Sequence, residues 1–400
     1  MSPARKTKAT QWVPIRDMAN EWRVRLRMIH EASRFIYATT YYVEDDAYGE
    51  QFLGALTAAA RRGVSVFLGF DVFGQRLGNS GRKSPAVGKL EAQLGALAQA
   101  GGVIAPYRPL RFLQRILGAG QHIKVQLSER GEALLASGNI CQRSYALWGE
   151  FSALVKGPIV PRLLDDIAQV FNLPESSIAR NRASLEEAAS NEAVSDNEAG
   201  GESGLSFDIE HLCFDPNAHS KPRRRGRWFA NPITERLVSL LDEARQEVVL
   251  TSFHCKPTDV LAEALIRAAR RGVQVSVVHS SHEALLESRL PWLSAAMAYP
   301  KFLEAGIQIL EHPRGEHSKL LSVDGRRVAF GSYNFEHAAH ERLAEQLFVS
   351  DAPKIVQDVR EVLLGLLTDP GLRRVVTDGP HSRGLLRLQR WVWRPLRRWV

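Results

Sequence analysis

The stretch of sequence that decides the fold runs from His317 to Asn334 and reads HSKLLSVDGRRVAFGSYN. An earlier stretch, from His122 to Asn139, reads HIKVQLSERGEALLASGN and repeats its plan. Each opens with His-x-Lys, places an acid five residues after the lysine, and closes with Ser-x-Asn. So short an opening recurs by chance, whereas two complete copies with one internal spacing indicate a duplicated functional unit. We refer to these stretches as the first and second signatures.

Two further His-x-Lys openings, at His219 and His254, lack the rest of the pattern. Gly226 and Leu261 stand where the acid should be, and no Ser-x-Asn follows either opening. These two histidines are therefore predicted to lie outside the catalytic set.

The repeat extends well beyond the signatures. The segment AARRGVSV at 59–66 recurs as AARRGVQV at 268–275. In each copy a helical pattern ends at Arg-Arg-Gly, and a β-branched run typical of a buried strand follows. Another apolar strand precedes each helix, at 35–42 and at 248–253. We therefore predict an α/β fold with two mixed-sheet α-β-α domains, each running strand, helix, strand, His-x-Lys strand and Ser-x-Asn turn.

The predicted domains occupy residues 10–175 and 207–368. Between them, residues 176–206 are acidic, rich in small residues and free of aromatic side chains. A segment so polar buries too little apolar surface to offset its ordering entropy, which predicts a flexible linker. Residues 369–400 form a basic, Trp-rich C-terminal tail.

Length, composition and charge bound the class of protein. With 400 residues, 44% of them apolar, the chain can bury two sizeable cores. Its net charge of +8 favours an anionic partner, either a membrane surface or nucleic acid. The three scattered cysteines favour neither a disulfide framework nor a zinc site and fit a reducing compartment.

We expect no membrane-spanning segment, because no run approaches the roughly 18 apolar residues needed to cross a bilayer. The basic start also lacks the apolar core of a signal peptide. Residues 383–400 nevertheless carry six arginines, three tryptophans and no acid, a composition that suits an interfacial membrane anchor. The alternative is a helix docked on the protein's own surface with its arginines in solvent.

The residue types in the signatures suit phosphoryl transfer. Neutral imidazole can attack phosphorus to form a phosphohistidine, and a second imidazole can donate a proton to the leaving oxygen. Lysine supplies positive charge to the phosphoryl oxygens, while serine hydroxyl and asparagine amide groups supply neutral donors. Two copies acting together provide a nucleophile, an acid and a set of donors, so we expect no metal and no other cofactor.

With these motifs the chain resembles the phospholipase D superfamily, whose members carry a duplicated His-x-Lys-x4-Asp followed by Gly-Ser-x-Asn. The resemblance covers about residues 15–368, apart from the linker. Arg143, Ser144 and Glu150 after the first signature, and Glu345 after the second, are similar to the corresponding run in bacterial cardiolipin synthases. The resemblance implies two phospholipase-D-like domains related by a pseudo-twofold axis, with one composite active site at their interface.

The resemblance also implies which residues act. The implied catalytic residues are His122, Lys124, Glu129, His317, Lys319 and Asp324. The residues implied to bind the substrate phosphate are Ser137, Asn139, Ser332 and Asn334. Arg143, Glu150 and Glu345 are implied to support them.

The implied activity is a ping-pong phosphatidyl transfer that converts two phosphatidylglycerol molecules into cardiolipin and glycerol. Family precedent makes His122 the nucleophile and His317 the general acid and base, a distinction that the residues alone leave open. The implied partner is anionic phospholipid rather than nucleic acid. The implied location is cytoplasmic, peripheral to the inner membrane.

The first signature departs from the family pattern at two positions, since Glu129 replaces Asp and Ala136 replaces Gly. Two alternatives to the transferase stay open, and these departures support only the second. One is a hydrolase that uses the same histidines on phospholipid or on nucleic acid. The other is a membrane-associated scaffold without catalytic activity.

Overall fold

The computed structural model describes residues 5–79, 84–109, 112–116, 118–198, 206–218, 224–225, 228–285 and 288–377. The chain divides into two compact units. The first contains Arg5–Ala146 and Glu150–His211, and the second contains Leu147–Gly149 and the described residues from Leu212 onwards. Each unit contains one signature, and each is a mixed α/β structure, which confirms the predicted fold class.

The first unit is built on a seven-stranded mixed sheet. The strands of this unit are β1 (Arg5–Ala9), β2 (Gln11–Ile15), β3 (Phe35–Thr40), β4 (Ser65–Asp71), β5 (Val103–Tyr107), β6 (Gly120–Gln121), β7 (Val125–Ser128), β8 (Glu132–Ala136) and β9 (Ser152–Lys156). The sheet order is β2-β9-β8-β7-β3-β4-β5, with β3, β4 and β5 parallel and the other neighbours antiparallel. Strand β1 pairs in antiparallel fashion with β10 (Phe207–Phe214).

Helices cover both faces of this sheet. They are α1 (Met18–Glu31), α2 (Ala47–Arg61), α3 (Val72–Gly78), α4 (Ser84–Gln99), α5 (Phe112–Ile116), α6 (Ile159–Phe171) and α7 (Glu175–Glu198), with a π-helical turn at Arg143–Leu147. Because strand side chains alternate between faces, Ile36 of β3 joins the core with α1 and α2, while Tyr37 points to α7, where its hydroxyl accepts a hydrogen bond from Asn181.

The second unit repeats this plan. Its strands after β10 are β11 (Arg224–Arg225), β12 (Trp228–Phe229), β13 (Glu247–Ser252), β14 (Gln274–Ser280), β15 (Gln308–His312), β16 (Leu320–Val323), β17 (Arg327–Gly331), β18 (Leu343–Ser350) and β19 (Arg373–Arg374). The order β18-β17-β16-β13-β14-β15 matches β9-β8-β7-β3-β4-β5 of the first unit, and β13, β14 and β15 are again the parallel strands.

The helices of the second unit flank its sheet. They are α8 (Pro232–Glu243), α9 (Asp259–Arg270), α10 (Leu290–Ala296), α11 (Tyr299–Glu304), α12 (His337–Glu341) and α13 (Pro353–Leu367), with a 3-10 turn at His282–Ala284. Helices α8 and α9 bury Ile233, Leu237 and Leu265 in one core with Val248 and Leu250 of β13.

Both copies of the repeated helix begin and end as their sequences predict. Asp46 caps α2 by accepting from two backbone N–H groups, and Thr258 caps α9 through its hydroxyl. After the Arg-Arg pairs, Gly63 and Gly272 adopt φ values of 88° and 89°. Only glycine takes this left-handed conformation without strain, which is why Arg-Arg-Gly ends each helix and releases the chain into β4 or β14.

The prediction of a flexible linker over 176–206 is wrong for most of its length, because Glu175–Glu198 forms helix α7. Ile178, Leu185 and Ala189 are buried and are spaced so that they share one helical face. Arg182 also binds Asp165 at 2.5 Å. Polarity alone favours a flexible linker here. The alanines and glutamates of the segment are strong helix formers, however, and a narrow apolar stripe is enough for the helix to pack on the unit.

Several predicted features lie outside the described residues. They include residues 199–205 of the predicted linker and residues 378–400, which contain the predicted membrane anchor at 383–400. In the part of the chain that the structure describes, no helix is long and apolar enough to cross a membrane.

Candidate active site

The two His-x-Lys openings lie directly before a strand rather than within one. Strand β7 begins at Val125 and β16 at Leu320, one residue after each lysine. The predicted His-x-Lys strand is therefore wrong at its start. In the second unit, the N–H groups of His317 and Ser318 donate to the Gly149 carbonyl at 2.7 and 3.1 Å instead of joining the sheet ladder.

A threonine from the neighbouring strand holds each opening in place. The Thr39 hydroxyl accepts from the Val125 N–H at 3.0 Å and donates to the Val125 carbonyl at 3.3 Å. In the second unit, the Thr251 hydroxyl accepts from the Leu320 N–H at 2.9 Å and donates to the Ser318 carbonyl at 3.0 Å. The accepted bond recurs at equivalent residues, Val125 and Leu320, whereas the two threonines donate to carbonyls that are not equivalent.

The histidine and lysine of each signature are buried, each at most 5% exposed. Lys124 Nζ donates to the His122 carbonyl at 2.9 Å, and Lys319 Nζ donates to the His317 carbonyl. Each lysine thus turns back on the backbone carbonyl of its own histidine. Positive charge held at a buried position suits an anionic ligand such as a phosphoryl group.

The acid of the second signature caps the turn that leads into β13. Asp324 Oδ1 accepts from the backbone N–H groups of Arg245, Gln246 and Glu247 at 3.1, 2.7 and 3.0 Å. Burial raises the pKa of Asp324, but these backbone hydrogen bonds and the nearby Arg326 charge outweigh it and leave the pKa below its ordinary value. Asp324 therefore fixes the first parallel strand of its unit.

Glu129 occupies the equivalent place in the first unit. It accepts from the Ser33 N–H at 2.6 Å, the Ser33 hydroxyl at 2.9 Å and the Phe35 N–H at 3.3 Å. Burial raises the pKa of Glu129, and these hydrogen bonds lower it by more, so the pKa lies below its ordinary value. The extra methylene of Glu is thus accommodated by a turn that offers a serine hydroxyl, and the departure from Asp keeps the role.

Replacing Asp324 with Asn is expected to lower the free energy of unfolding by about 2 kcal/mol at pH 7, because a charged acceptor of three backbone N–H groups is lost. A carboxyl whose pKa is lowered in the folded state stabilises the protein above the unfolded-state pKa, near 4, and this stability is lost as pH falls through the folded-state pKa. Urea denaturation at pH 7 and at pH 3 checks both statements.

The exposed Asp351 supplies the control for this measurement. Asp351→Asn is expected to unfold like the wild type at both pH values. An Asp324→Asn deficit that is the same at pH 3 as at pH 7 would show that the carboxylate charge is not the cause.

The serine of each signature donates to a buried glutamate. Ser137 Oγ donates to Glu150 Oε2 at 2.5 Å, and Ser332 Oγ donates to Glu345 Oε2. The structure thus brings together, within each unit, a residue predicted to bind phosphate and a residue predicted to support it. In each pair the serine hydroxyl donates to the glutamate carboxylate, and this hydrogen bond stabilises the Ser-x-Asn turn.

The asparagines close the turns and offer unused hydrogen-bonding capacity. Asn139 and Asn334 are buried, and among the described residues the Oδ1 atom of each has no hydrogen-bond partner. In Asn139, rotation about χ2 exchanges this oxygen for the NH2 group, which is the donor that a phosphoryl oxygen needs. The Asn334 NH2 group already donates to Glu336 Oε1 at 3.4 Å. These two amides suit the predicted phosphate-binding role.

The replacement of Gly by Ala at position 136 is explained by the backbone. Gly331 has a φ of 151°, and a Cβ added there would lie 2.3 Å from the Gln346 carbonyl oxygen. Ala136 is not among the described residues with positive φ, and its N–H donates to the Lys124 carbonyl at 3.1 Å. The first unit can therefore carry a methyl group that the second excludes.

Arg143, the predicted support of the first signature, pairs with the buried Glu44 at 3.5 Å. At the position that corresponds to Glu44, the second unit has Lys256, which pairs with Glu336 at 3.2 Å. Each unit thus holds an ion pair here with its charges exchanged. The lysine of the incomplete opening His254-Cys-Lys256 has this structural partner, consistent with its predicted exclusion from the catalytic set.

Aromatic rings that are not among the predicted site residues border both histidines. The Tyr41 ring lies edge-on to His122 at 5.0 Å between centroids. In the second unit, Phe253 lies 5.0 Å from His317, and Trp148 lies 5.1 Å from it. Tyr41 and Phe253 follow corresponding strands of the repeat, so the repeat itself indicates an aromatic ring at this place in each unit. No local pattern indicates Trp148.

His254 lies next to this aromatic group, with its ring centroid 4.4 Å from that of Phe253. Both its ring nitrogens are buried, and among the described residues neither has a hydrogen bond of good geometry. Burial above all, and then the nearby His279, Lys256 and His317, lower the pKa of His254 well below its ordinary value. His254 is therefore neutral at physiological pH. Across the described residues, no three His, Cys, Asp or Glu side chains are grouped to hold a metal ion.

Comparison with known proteins agrees with this geometry. A family model described as "Cardiolipin synthase, PLD-like domain" matches residues 237–366. Cardiolipin synthase B of Salmonella typhi is 23% identical over 350 residues, which cover 85% of this chain and 76% of that protein. Cardiolipin synthase of Geobacillus kaustophilus (strain HTA426) is 22% identical over 347 residues, covering 83% of this chain and 62% of that protein.

A solved structure shares the fold over nearly the whole chain. The phosphatidylserine synthase of Haemophilus influenzae Rd KW20 superposes with a TM-score of 0.71 at 12% identity, covering 98% of this chain and 95% of that one. At this identity the likeness concerns the fold alone.

The chain is thus similar to cardiolipin synthases over most of its length, and its residues 237–366 match the cardiolipin synthase, PLD-like domain.

Proposed function

We propose that the chain is a cardiolipin synthase-like phosphatidyltransferase that joins two phosphatidylglycerol molecules and releases glycerol. The observation that carries the proposal is that both signatures are intact in their contacts. Each has a buried histidine, a lysine bound to that histidine's carbonyl, a capped turn and a serine held by glutamate. A scaffold without activity has no use for two such sets of buried polar groups, which are costly to fold.

In the proposed first step, a neutral imidazole nitrogen of His122 attacks the phosphorus of phosphatidylglycerol. A phosphorus–nitrogen bond forms, the bond from phosphorus to the glycerol headgroup oxygen breaks, and His317 gives its proton to that oxygen. Lys124 and Lys319 offset the negative charge on the phosphoryl oxygens, and the amides of Asn139 and Asn334 donate to them.

In the second step, the neutral His317 removes a proton from the headgroup hydroxyl of a second phosphatidylglycerol. The oxygen attacks phosphorus, the phosphorus–nitrogen bond breaks, and cardiolipin leaves with both imidazoles returned to their starting states. The scheme requires both histidines to act on one phosphoryl group, as the family resemblance implies.

Because the substrate is a bilayer lipid, we propose that the protein acts as a peripheral protein on the cytoplasmic face of the inner membrane. The positive net charge and the Arg- and Trp-rich residues 383–400 support this placement.

Incubation of the purified protein with phosphatidylglycerol vesicles and a chelator tests the function. Equal amounts of cardiolipin and free glycerol are expected. Phosphatidic acid as the main product would instead identify a hydrolase, and no lipid product would favour the scaffold.

Trp148→Ala is expected to raise the ratio of phosphatidic acid to cardiolipin by about tenfold, because the Trp148 ring helps to keep water from His317. Trp148→Phe keeps an aromatic ring at this place and is expected to retain the wild-type ratio. Lipid products are measured by mass spectrometry. If Trp148 merely stabilised the fold, Trp148→Ala would lower both products in proportion.

Truncation after Gly379 is expected to weaken binding to phosphatidylglycerol vesicles about tenfold, because it removes the Arg- and Trp-rich tail. Turnover on detergent-dispersed lipid is expected to stay at the wild-type rate. Vesicle flotation compares the two proteins, and equal flotation would refute the anchor.

A further inference from the structure

Large apolar side chains are exposed on two short helices of the first unit. Phe73 and Leu77 on α3 are 41% and 56% exposed, and Phe112 on α5 is 71% exposed. Phe73 and Leu77 are four residues apart and share one face of α3. Just after α5, Gly118 lies against the Phe73 ring. A Cβ atom added to Gly118 would be 3.2 Å from the nearest atom of that ring. The end of the α5 segment therefore meets α3 at this apolar face.

The α3 and α5 segments carry arginines and, in sequence, no acidic residue. Arg76 on α3, Arg115 on α5 and Arg108 just before α5 are exposed. No Asp or Glu occurs in the sequence from 72 to 79 or from 103 to 121. Exposed apolar side chains bordered by arginines complement an anionic lipid surface. A second copy of the chain would bring like charges together, which disfavours self-association through this face.

This region is joined directly to the first signature. Asp71, the last residue of β4, caps α3 by accepting from the Gly74 N–H at 2.6 Å through Oδ1. Its Oδ2 atom accepts from the N–H of Gln121 at 3.0 Å. Gln121 directly precedes His122 in the chain. One buried carboxylate therefore links the base of α3 to the segment that carries the proposed nucleophile.

We propose that α3 and α5 form a docking surface for the anionic lipid bilayer, separate from the C-terminal tail. Phe73, Leu77 and Phe112 enter the apolar part of the bilayer, and Arg76 and Arg108 contact the phosphate headgroups. Docking here presents the lipid headgroup layer to the first signature. This inference rests on the proposed function in that the substrate is a bilayer lipid.

Site-specific labelling of the full chain tests the surface. The native cysteines Cys141, Cys213 and Cys255 are all buried, so a cysteine introduced at an exposed position can be labelled selectively. Leu77→Cys and Phe112→Cys are labelled with an environment-sensitive fluorophore. The matched control is Val103→Cys, which is 54% exposed at the opposite end of the parallel strands, where β5 begins.

With phosphatidylglycerol vesicles, the labels at 77 and 112 are expected to shift to the blue and to be quenched by nitroxide-bearing lipid, whereas the label at 103 is not. Phosphatidylcholine vesicles are expected to give a smaller shift. Labels at 77 and 112 that stay in water when the protein is bound would overturn the proposal. So would an equal shift with phosphatidylcholine, or a shift that follows protein concentration without vesicles.

Cardiolipin formation in detergent-mixed micelles is measured in parallel with the same labelled proteins. Product formation without insertion of the labels would refute the docking surface alone. Insertion without product would instead refute the proposed transferase and leave the surface standing.

Discussion

His317→Ala is expected to reduce cardiolipin formation about 10,000-fold or more, because the variant lacks the group that protonates the leaving glycerol and then activates the acceptor hydroxyl. His122→Ala, which lacks the nucleophile, is expected to lose as much. The double variant should be no worse than either single variant, since residues that act as one unit have non-additive effects. Initial rates of glycerol release and cardiolipin formation from phosphatidylglycerol micelles provide the measurement.

His254 offers a matched control for these variants. It is buried, lies beside the same Phe253 ring and opens a His-x-Lys run, but lacks the acid and the Ser-x-Asn turn. His254→Gln is expected to keep most of the wild-type rate. Full turnover by His317→Ala, or a His254→Gln variant as inactive as His317→Ala, would contradict the assignment of the catalytic pair.

Lys319→Met is expected to lower the turnover number by about 100- to 1,000-fold, with Lys124→Met in the same range, because each removes positive charge from the phosphoryl oxygens in the transition state. Both lysines are buried, and each binds the backbone carbonyl of the histidine in its own signature. Water therefore replaces their charge poorly. Measurement of kcat and KM separately shows whether the charge acts in the transition state. In that case kcat carries most of the loss.

Lys256→Met is the control for the lysine variants. Lys256 belongs to the incomplete opening at His254 and pairs with Glu336. Its replacement is expected to reduce thermal stability and to leave kcat nearly unchanged. A loss of kcat equal to that of Lys319→Met would mean that burial of the charge, rather than its place in a signature, decides the effect.

The parts of the fold and site that depend on local sequence could be predicted. The strands at 35–42 and 248–253, the helices ending at Arg-Arg-Gly and the two signatures are short patterns whose physical causes lie within a few residues. Ser137 and Glu150 are 13 residues apart, and so are Ser332 and Glu345. This equal spacing indicates that the two pairs are equivalent.

The remaining features depend on contacts between residues distant in sequence. Trp148 lies beside His317. The segment Leu147–Gly149 belongs to the second unit, although the chain on both sides of it belongs to the first. Nothing in the local sequence predicts that exchange. Glu129 is similar, since its acceptability depends on the hydroxyl of Ser33, 96 residues away. The spacing of the apolar residues in α7 predicts a helix, whereas the polarity of the segment predicts a flexible linker. The spacing is the better guide here.

The central claim, phosphatidyl transfer through a covalent histidine, is tested most directly by isolating the intermediate. The enzyme is mixed with phosphatidylglycerol, denatured rapidly at alkaline pH to preserve phosphohistidine, digested and analysed by mass spectrometry. We predict a phosphatidyl group on the peptide that contains His122, and no such adduct in His122→Ala. A protein that forms cardiolipin without an adduct on a histidine of either signature would contradict the account.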